Sequence, residues 1–168
     1  MAIIREAKIE DISGISKITK LAFAMYRDEL HSDTPVKALL EADEDIKRDI
    51  EDNYVFVAQK ENGEILGCIR IKKISDNLAY IYRFSVHPDD HNSGIGSGLI
   101  DAAIDKCALL NVSAITLHTN SKYFKLARYY YGKQFYIEST TTELGYIRAL
   151  FVKNLDDKNP DLSAAKKL

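Results

Sequence analysis

The sequence predicts an α/β (α+β) fold, a mixed and mostly antiparallel twisted sheet of about seven strands flanked by about four helices. Three observations carry that expectation. Apolar residues recur at three- and four-residue steps over 12–25 and 95–110, whereas 54–58, 65–71 and 78–86 are compact runs of β-formers. Asn62-Gly63 supplies a hairpin signal between the first two of those runs, which makes them antiparallel neighbours. The helical segment 95–110 lies between strand 78–86 and strand 114–118, a crossover that introduces a parallel element.

Taken in order, residues 2–5 form a short strand, and Glu10-Asp11-Ile12 places carboxylates where a helix N-terminus favours them. The first helix turns Ile12, Ile15, Ile18, Leu21, Ala22 and Met25 inward. Pro35 interrupts the pattern, and a second helix is expected over 36–52 with Leu39, Leu40, Ile46 and Ile50 inward and an acidic face outward. The hairpin follows, then strand 78–86, which must end at His87-Pro88 because proline cannot donate to a central ladder. A glycine-rich loop opens helix 95–110. Strand 114–118, a helix over 121–133, and strands at 135–137 and 146–152 complete the sheet.

With 168 residues and 46% hydrophobic composition, the chain is long enough for one core and too short for two ordinary domains. One domain over 1–153 and a polar, frayed tail over 154–168 are expected. The formal net charge of -2 advertises no surface for a polyanion, which excludes nucleic acid as a partner. Charge at Arg5 and Glu6, and the want of any apolar stretch near about 18 residues, predict neither signal peptide nor membrane anchor. Cys68 and Cys107 sit in apolar runs without metal-ligand spacing, which reads as buried thiols in a cytoplasmic protein and no metal site.

The chemistry centres on Asp89-Asp90-His91-Asn92-Ser93-Gly94-Ile95-Gly96-Ser97-Gly98. A loop turning from a strand into a helix directs unpaired amides and the positive end of the helix dipole outward, as a diphosphate requires. Gly94, Gly96 and Gly98 would let a ligand approach the backbone; alternatively they only make a tight connection. The dinucleotide fingerprint fails at Leu99, and the P-loop fails for want of Lys-Ser or Lys-Thr after the last glycine.

Val86-His87-Pro88-Asp89, Gly94-Ile95-Gly96-Ser97 and Leu99-Ile100 resemble the coenzyme-A loop of GNAT-family N-acetyltransferases. The resemblance extends to Ile4-Arg5-Glu6-Ala7, Glu10-Asp11-Ile12, Gly67 and the tyrosine helix, and so covers residues 2–153. It implies a GNAT-like sheet, acetyl-CoA as co-substrate without a metal, and acetyl transfer to a primary amine by direct attack on the thioester. His91, Asn92, Ser93, Gly94, Ile95, Gly96 and Ser97 would hold the pyrophosphate, and Phe84, Ser85 and Val86 the pantetheine arm, with the Val86 amide as oxyanion donor. The match of Ala127-Arg128-Tyr129-Tyr130-Tyr131 makes Tyr131 the proton donor, with Tyr130 its competitor. Asn120 would bind the pantetheine arm, or cap the following helix.

The sequence departs from the family in carrying His91-Asn92 where Arg-Gly is frequent, Phe135-Tyr136 where Gly-Phe is frequent, and no glutamate on strand 78–86. The general base therefore falls to water polarised by Tyr80, Tyr82 or Ser85, or to Glu29 or His31. His31 and His118 read otherwise as ordinary histidines. The acceptor is a small-molecule or peptide amine, shaped by 26–36; an acidic stretch from Glu41 to Asp52 would suit a cationic amine or merely be a solvated face. The resemblance also admits a homodimer through 146–152. A coenzyme-A-binding sensor, or a catalytically inactive module of the same fold, is the alternative.

Overall fold

The structure, a computed structural model, describes residues 1–30 and 36–168. His31 and Pro35 therefore lie outside the described residues, as do the other residues of 31–35 in the expected acceptor loop. Seven strands form one sheet in the order β1-β2-β3-β4-β5-β7-β6. They are β1 (Ala2–Glu6), β2 (Tyr54–Lys60), β3 (Ile65–Lys73), β4 (Leu78–Val86), β5 (Ala114–Asn120), β6 (Tyr136–Thr141) and β7 (Arg148–Asn154). The helices are α1 (Ile12–Glu29), α2 (Asp43–Asp52), α3 (Ile95–Leu109), α4 (Phe124–Gly132) and a single turn, α5 (Ser163–Lys166). The β1–β2, β2–β3, β5–β7 and β6–β7 ladders are antiparallel, and β4–β5 is parallel, as the crossover through α3 demands.

The chain divides into two compact units, 1–71 with 83–105 and 72–82 with 106–168. In the first, Ile15 and Ile18 of α1, Ile46 of α2, Val55 and Val57 of β2 and Cys68 of β3 form one buried cluster. The three- and four-step pattern of α1 matches its buried side, although Leu21 is exposed and Thr19 buried. Asp11 ties the start of this unit together: it accepts from both terminal nitrogens of Arg5 at 2.7 and 2.8 Å and from the Lys8 amide at 2.7 Å. That bonding to Arg5 holds the Asp11 carboxyl below the ordinary carboxylate range.

The expected helix over 36–52 is broken. A 3-10 turn covers Lys37–Leu40, Glu41 and Ala42 are extended, and α2 starts only at Asp43. Asp45 accepts from the Ala42 amide at 3.0 Å and so caps the new helix start. Ala38 is buried in this segment and Leu40 is exposed, the reverse of what a continuous helix would give.

In the second unit, Leu78, Ala114, Leu150 and Val152 pack together with Ala165 of α5, and Leu162 and Ala164 pack against them. The tail expected to fray thus returns to the core. β7 hydrogen-bonds to β5 on one side and to β6 on the other, so residues 148–152 of the segment expected to supply a homodimer interface have both backbone edges paired. β5 runs two residues beyond the expected strand and includes Asn120, while α4 starts at Phe124, three residues later than expected. Tyr130 is buried, edge-on to Phe135 at 5.7 Å and tilted against Phe151 at 5.4 Å.

Candidate active site

β4 delivers Phe84, Ser85 and Val86 to a turn at Pro88–Asp90, and α3 begins five residues later. The turn is built locally. His87 donates its amide to Leu66 O at 2.7 Å, which ties the end of β4 to β3, and its Nδ1 accepts from the Asp89 amide at 3.2 Å. Ser93 closes the loop by donating its hydroxyl to Asp90 O at 2.5 Å and its amide to the same oxygen at 3.2 Å.

Asn92 and Gly94 are left-handed, at φ 68 and 87, and the next residue starts the helix. Alternation of this kind turns successive amides toward one side, and the first amides of a helix have no intrahelical acceptor. The Asn92, Gly94 and Gly96 amides find no acceptor among the described residues. A Cβ at Gly94 would meet nothing within 4 Å, so its glycine answers the backbone conformation and the space beside it is open. Gly98 has another reason. A Cβ there would lie 2.4 Å from Ile4 Cδ1, so this glycine seats α3 against β1 and takes no part in approach of a ligand. Gly67 does the same, since its Cβ would reach Leu99 Cδ1 at 2.8 Å and Ser85 O at 3.0 Å.

An ion cluster lies in the same unit. Arg70 of β3 is wholly buried; its Nη1 and Nη2 donate to Glu41 at 2.6 and 2.8 Å, and Nη1 also to Asp49 at 2.9 Å. Its Nε finds no acceptor among the described residues. Burial works against the Arg70 charge, yet the bonds to Glu41 and Asp49 and the neighbouring charges hold its pKa above the ordinary value. Arg83 of β4 donates its Nε to the same Glu41 oxygen at 3.3 Å. Glu41 and Asp49, read in the sequence as part of a solvated or acceptor-facing stretch, are therefore committed to arginine. The sequence carried a signal for this: Arg70 interrupts the apolar run Ile69-Arg70-Ile71, and Asp49 sits three residues after the buried Ile46.

Arg83 is left-handed at φ 51 in the middle of β4, a conformation that costs a non-glycine residue about 1–2 kcal/mol. The Ser85 side chain is buried and donates to Arg83 O at 3.1 Å.

Tyr80, Tyr82, His118, Asn120 and Tyr131 belong to the second unit. The β4–β5 ladder covers three pairs, Leu78↔Ala114 to Tyr80↔Thr116, although β4 continues to Val86 and β5 to Asn120. Asn120 Oδ1 accepts from the Lys122 amide at 2.9 Å, and the N-cap of α4 is Tyr123, so Asn120 caps a turn that precedes the helix. Tyr131 is 53% exposed with its ring edge-on to Phe151 at 6.0 Å, whereas its competitor Tyr130 is core. Tyr80 is hydrogen-bonded to His118 Nδ1 at 2.8 Å. Burial, assisted by the Arg148 charge, lowers the His118 pKa to about 4, so this imidazole is neutral at physiological pH. Lys72 Nζ lies over the Tyr80 and Tyr82 rings at 5.7 and 5.1 Å. Cys68 and Cys107 are buried and burial pushes both thiols up to about 12. Among the described residues, no group of three or more His, Cys, Asp or Glu is placed to hold a metal ion.

The model of the acetyltransferase (GNAT) family matches residues 22–135. The chain belongs to this family. GNAT folds also surround it among solved structures. PaiA N-acetyltransferase from Thermoplasma acidophilum, in complex with coenzyme A, is 17% identical, with a TM-score of 0.79 over 92% of this chain and 99% of that one. YncA of Salmonella typhimurium, solved with its cofactor acetyl-CoA, is 17% identical, with a TM-score of 0.73 over 96% and 98%. The ribosomal-protein-S18-alanine N-acetyltransferase of Escherichia coli is 16% identical, with a TM-score of 0.72 over 96% and 99%. No curated protein sequence matches the chain.

Proposed function

We propose that this GNAT protein is an acetyl-CoA-dependent N-acetyltransferase acting on a primary amine. The observation that supports it most is that the Asn92, Gly94 and Gly96 amides, leading into α3, find no acceptor among the described residues, with open space beside Gly94. A pyrophosphate needs several donors, and backbone amides supply them without the basic side chain that His91 replaces. His91, Ser93, Ile95 and Ser97 complete that loop in this reading. Phe84, Ser85 and Val86 hold the pantetheine arm, and Asn120 contributes its amide side chain to it.

Acetyl-CoA supplies an activated acyl group, and the chain's residues supply the rest. The acceptor nitrogen bonds to the carbonyl carbon as the carbon–sulfur bond breaks. Val86 N–H stabilises the oxyanion that develops, and Tyr131 gives its phenolic proton to the departing thiolate. Tyr131 suits that task because it is exposed, and because a phenol is protonated at neutral pH. An alkylammonium has a pKa near 10.4, so reaching the neutral amine at pH 7 costs roughly 4–5 kcal/mol. Water polarised by Tyr80, Tyr82 or Ser85 takes that proton in this reading, with Glu29 or His31 as the alternative; Tyr80 is bonded to His118 and Ser85 is buried.

Calorimetric titration with acetyl-CoA, desacetyl coenzyme A and NADH tests the loop directly. Acetyl-CoA and coenzyme A should bind and NADH should not, with Gly96→Val abolishing binding while circular dichroism stays unchanged. Tyr131→Phe should lower kcat by about 100-fold or more with acetyl-CoA affinity unaltered; an unchanged rate removes Tyr131 from the mechanism. A second reading, a coenzyme-A-binding module without turnover, is favoured by Glu41, a carboxylate in contact with β4, being bound to two arginines. Binding of acetyl-CoA without thiol release for any amine would select it.

A further inference from the structure

We infer that Arg83 is the receptor for a carboxylate carried by the acceptor, so that the acceptor is an α-amino acid rather than a polyamine or other cationic amine. The inference rests on the acetyltransferase reading and deepens it.

The two arginines on Glu41 are unequally served. Arg70 takes both Glu41 oxygens and Asp49 besides, at 2.6 to 2.9 Å, and is closed to solvent. Arg83 receives only a share of one oxygen, at 3.3 Å, through Nε. Its side chain is 27% exposed, and neither terminal nitrogen has a partner among the described residues. A guanidinium fixed at Nε presents its two terminal nitrogens as a fork, the geometry that matches a carboxylate in two parallel hydrogen bonds.

The backbone points the same way. Arg83 holds a left-handed conformation within a strand, which glycine or asparagine would tolerate better. Glu41 already accepts from both terminal nitrogens of Arg70, so Arg83 adds to it one longer bond through Nε alone. Arg83 is also three residues before Val86, at most about 10 Å along the chain. An arginine side chain, together with the two bonds that separate amine from carboxylate in an α-amino acid, covers that length. Glu41 and Asp49 are both bonded to Arg70, and Arg83, whose charge balances the second of these carboxylates, keeps both terminal nitrogens without a partner among the described residues.

The test is steady-state thiol release with acetyl-CoA and two matched panels, the free L-amino acids and their carboxamides, beside calorimetric titration of acetyl-CoA. At least one amino acid should be acetylated with kcat/KM more than tenfold above its carboxamide. Arg83→Gln should lower kcat/KM for that amino acid on the order of 30-fold through KM, leave its carboxamide unchanged, and leave acetyl-CoA affinity intact. Arg83→Lys should restore part of the preference, and it carries the comparison if Arg83→Gln disturbs the strand and weakens acetyl-CoA binding. Equal use of acid and carboxamide, a preference that survives Arg83→Gln, or no turnover of any amino acid by protein that binds acetyl-CoA would each overturn the inference. Failure to bind acetyl-CoA at all would instead overturn the acetyltransferase reading beneath it.

Discussion

The loop over 87–97 and the cluster around Arg70 are two ways of handling polar groups in one compact unit. The loop keeps main-chain donors exposed and unspent, holding its shape with Ser93, His87 and two left-handed residues. The cluster buries side-chain charges and spends them on one another, leaving Arg83 as its exposed member. The difference teaches where each can fail. A loop that works through its backbone tolerates most side-chain changes but not a change of backbone conformation. A buried charge cluster tolerates neither the loss nor the neutralisation of a member, because what remains is an unpaired charge in low dielectric.

The strongest way to break the comparison is Glu41→Ala. Removing the carboxylate shared by both arginines should destabilise the protein by about 3–5 kcal/mol, read as a lower urea midpoint. His91→Ala in the loop should change stability by less than about 0.5 kcal/mol, whatever it does to cofactor binding. If the two variants were equally stable, Glu41 would be solvated and the contrast would fail. Next in size is Gly94→Ala, expected to cost about 1 kcal/mol through its backbone angle alone. Gly94→Asn should cost less, since asparagine adopts the left-handed region more readily; equal costs would point to contact rather than conformation.

Acid sharpens the comparison further. His118 binds its proton near pH 6.5 when unfolded and near pH 4 when folded, so the unfolded state holds more protons between those values. Stability should therefore fall as pH drops from about 6.5 to about 4, and His118→Phe should flatten that slope. Asp11 acts below that window: its folded pKa is depressed by Arg5, so its contribution is complete above the unfolded value and is lost as pH falls through the folded one. Asp11→Asn should remove that lower phase in urea titrations. The smallest effect is expected at the cysteines. Both should be inert to a thiol reagent at pH 8 in the native protein and react only as fast as it unfolds, since burial raises both pKa values to about 12.

Local order was legible where one stretch of chain decides it. The hairpin at Asn62-Gly63, the strand ending at His87 and the helix opening at Ile95 lie where periodicity and turn chemistry put them. The 36–52 segment was not, because its break at Glu41 is set by Arg70, 29 residues away in sequence. The glycines of the loop were legible as a group and separable only in three dimensions, Gly94 by its angle and Gly98 by its contact with Ile4. Arg83 escaped notice because its backbone angle has no sequence signature and its partner belongs to a different element. The tyrosine run shows the middle case: composition marked the helix, and packing then separated the buried Tyr130 from the exposed Tyr131.

Ala165 is wholly buried against Leu78, Ala114, Leu150 and Val152. Chains are made from the N-terminus, so Leu78 leaves the ribosome early and is covered in part by a residue synthesised much later. Until Ala165 docks, a chain that has already paired β5 with β7 leaves the Ala165 side of Leu78, Ala114, Leu150 and Val152 uncovered.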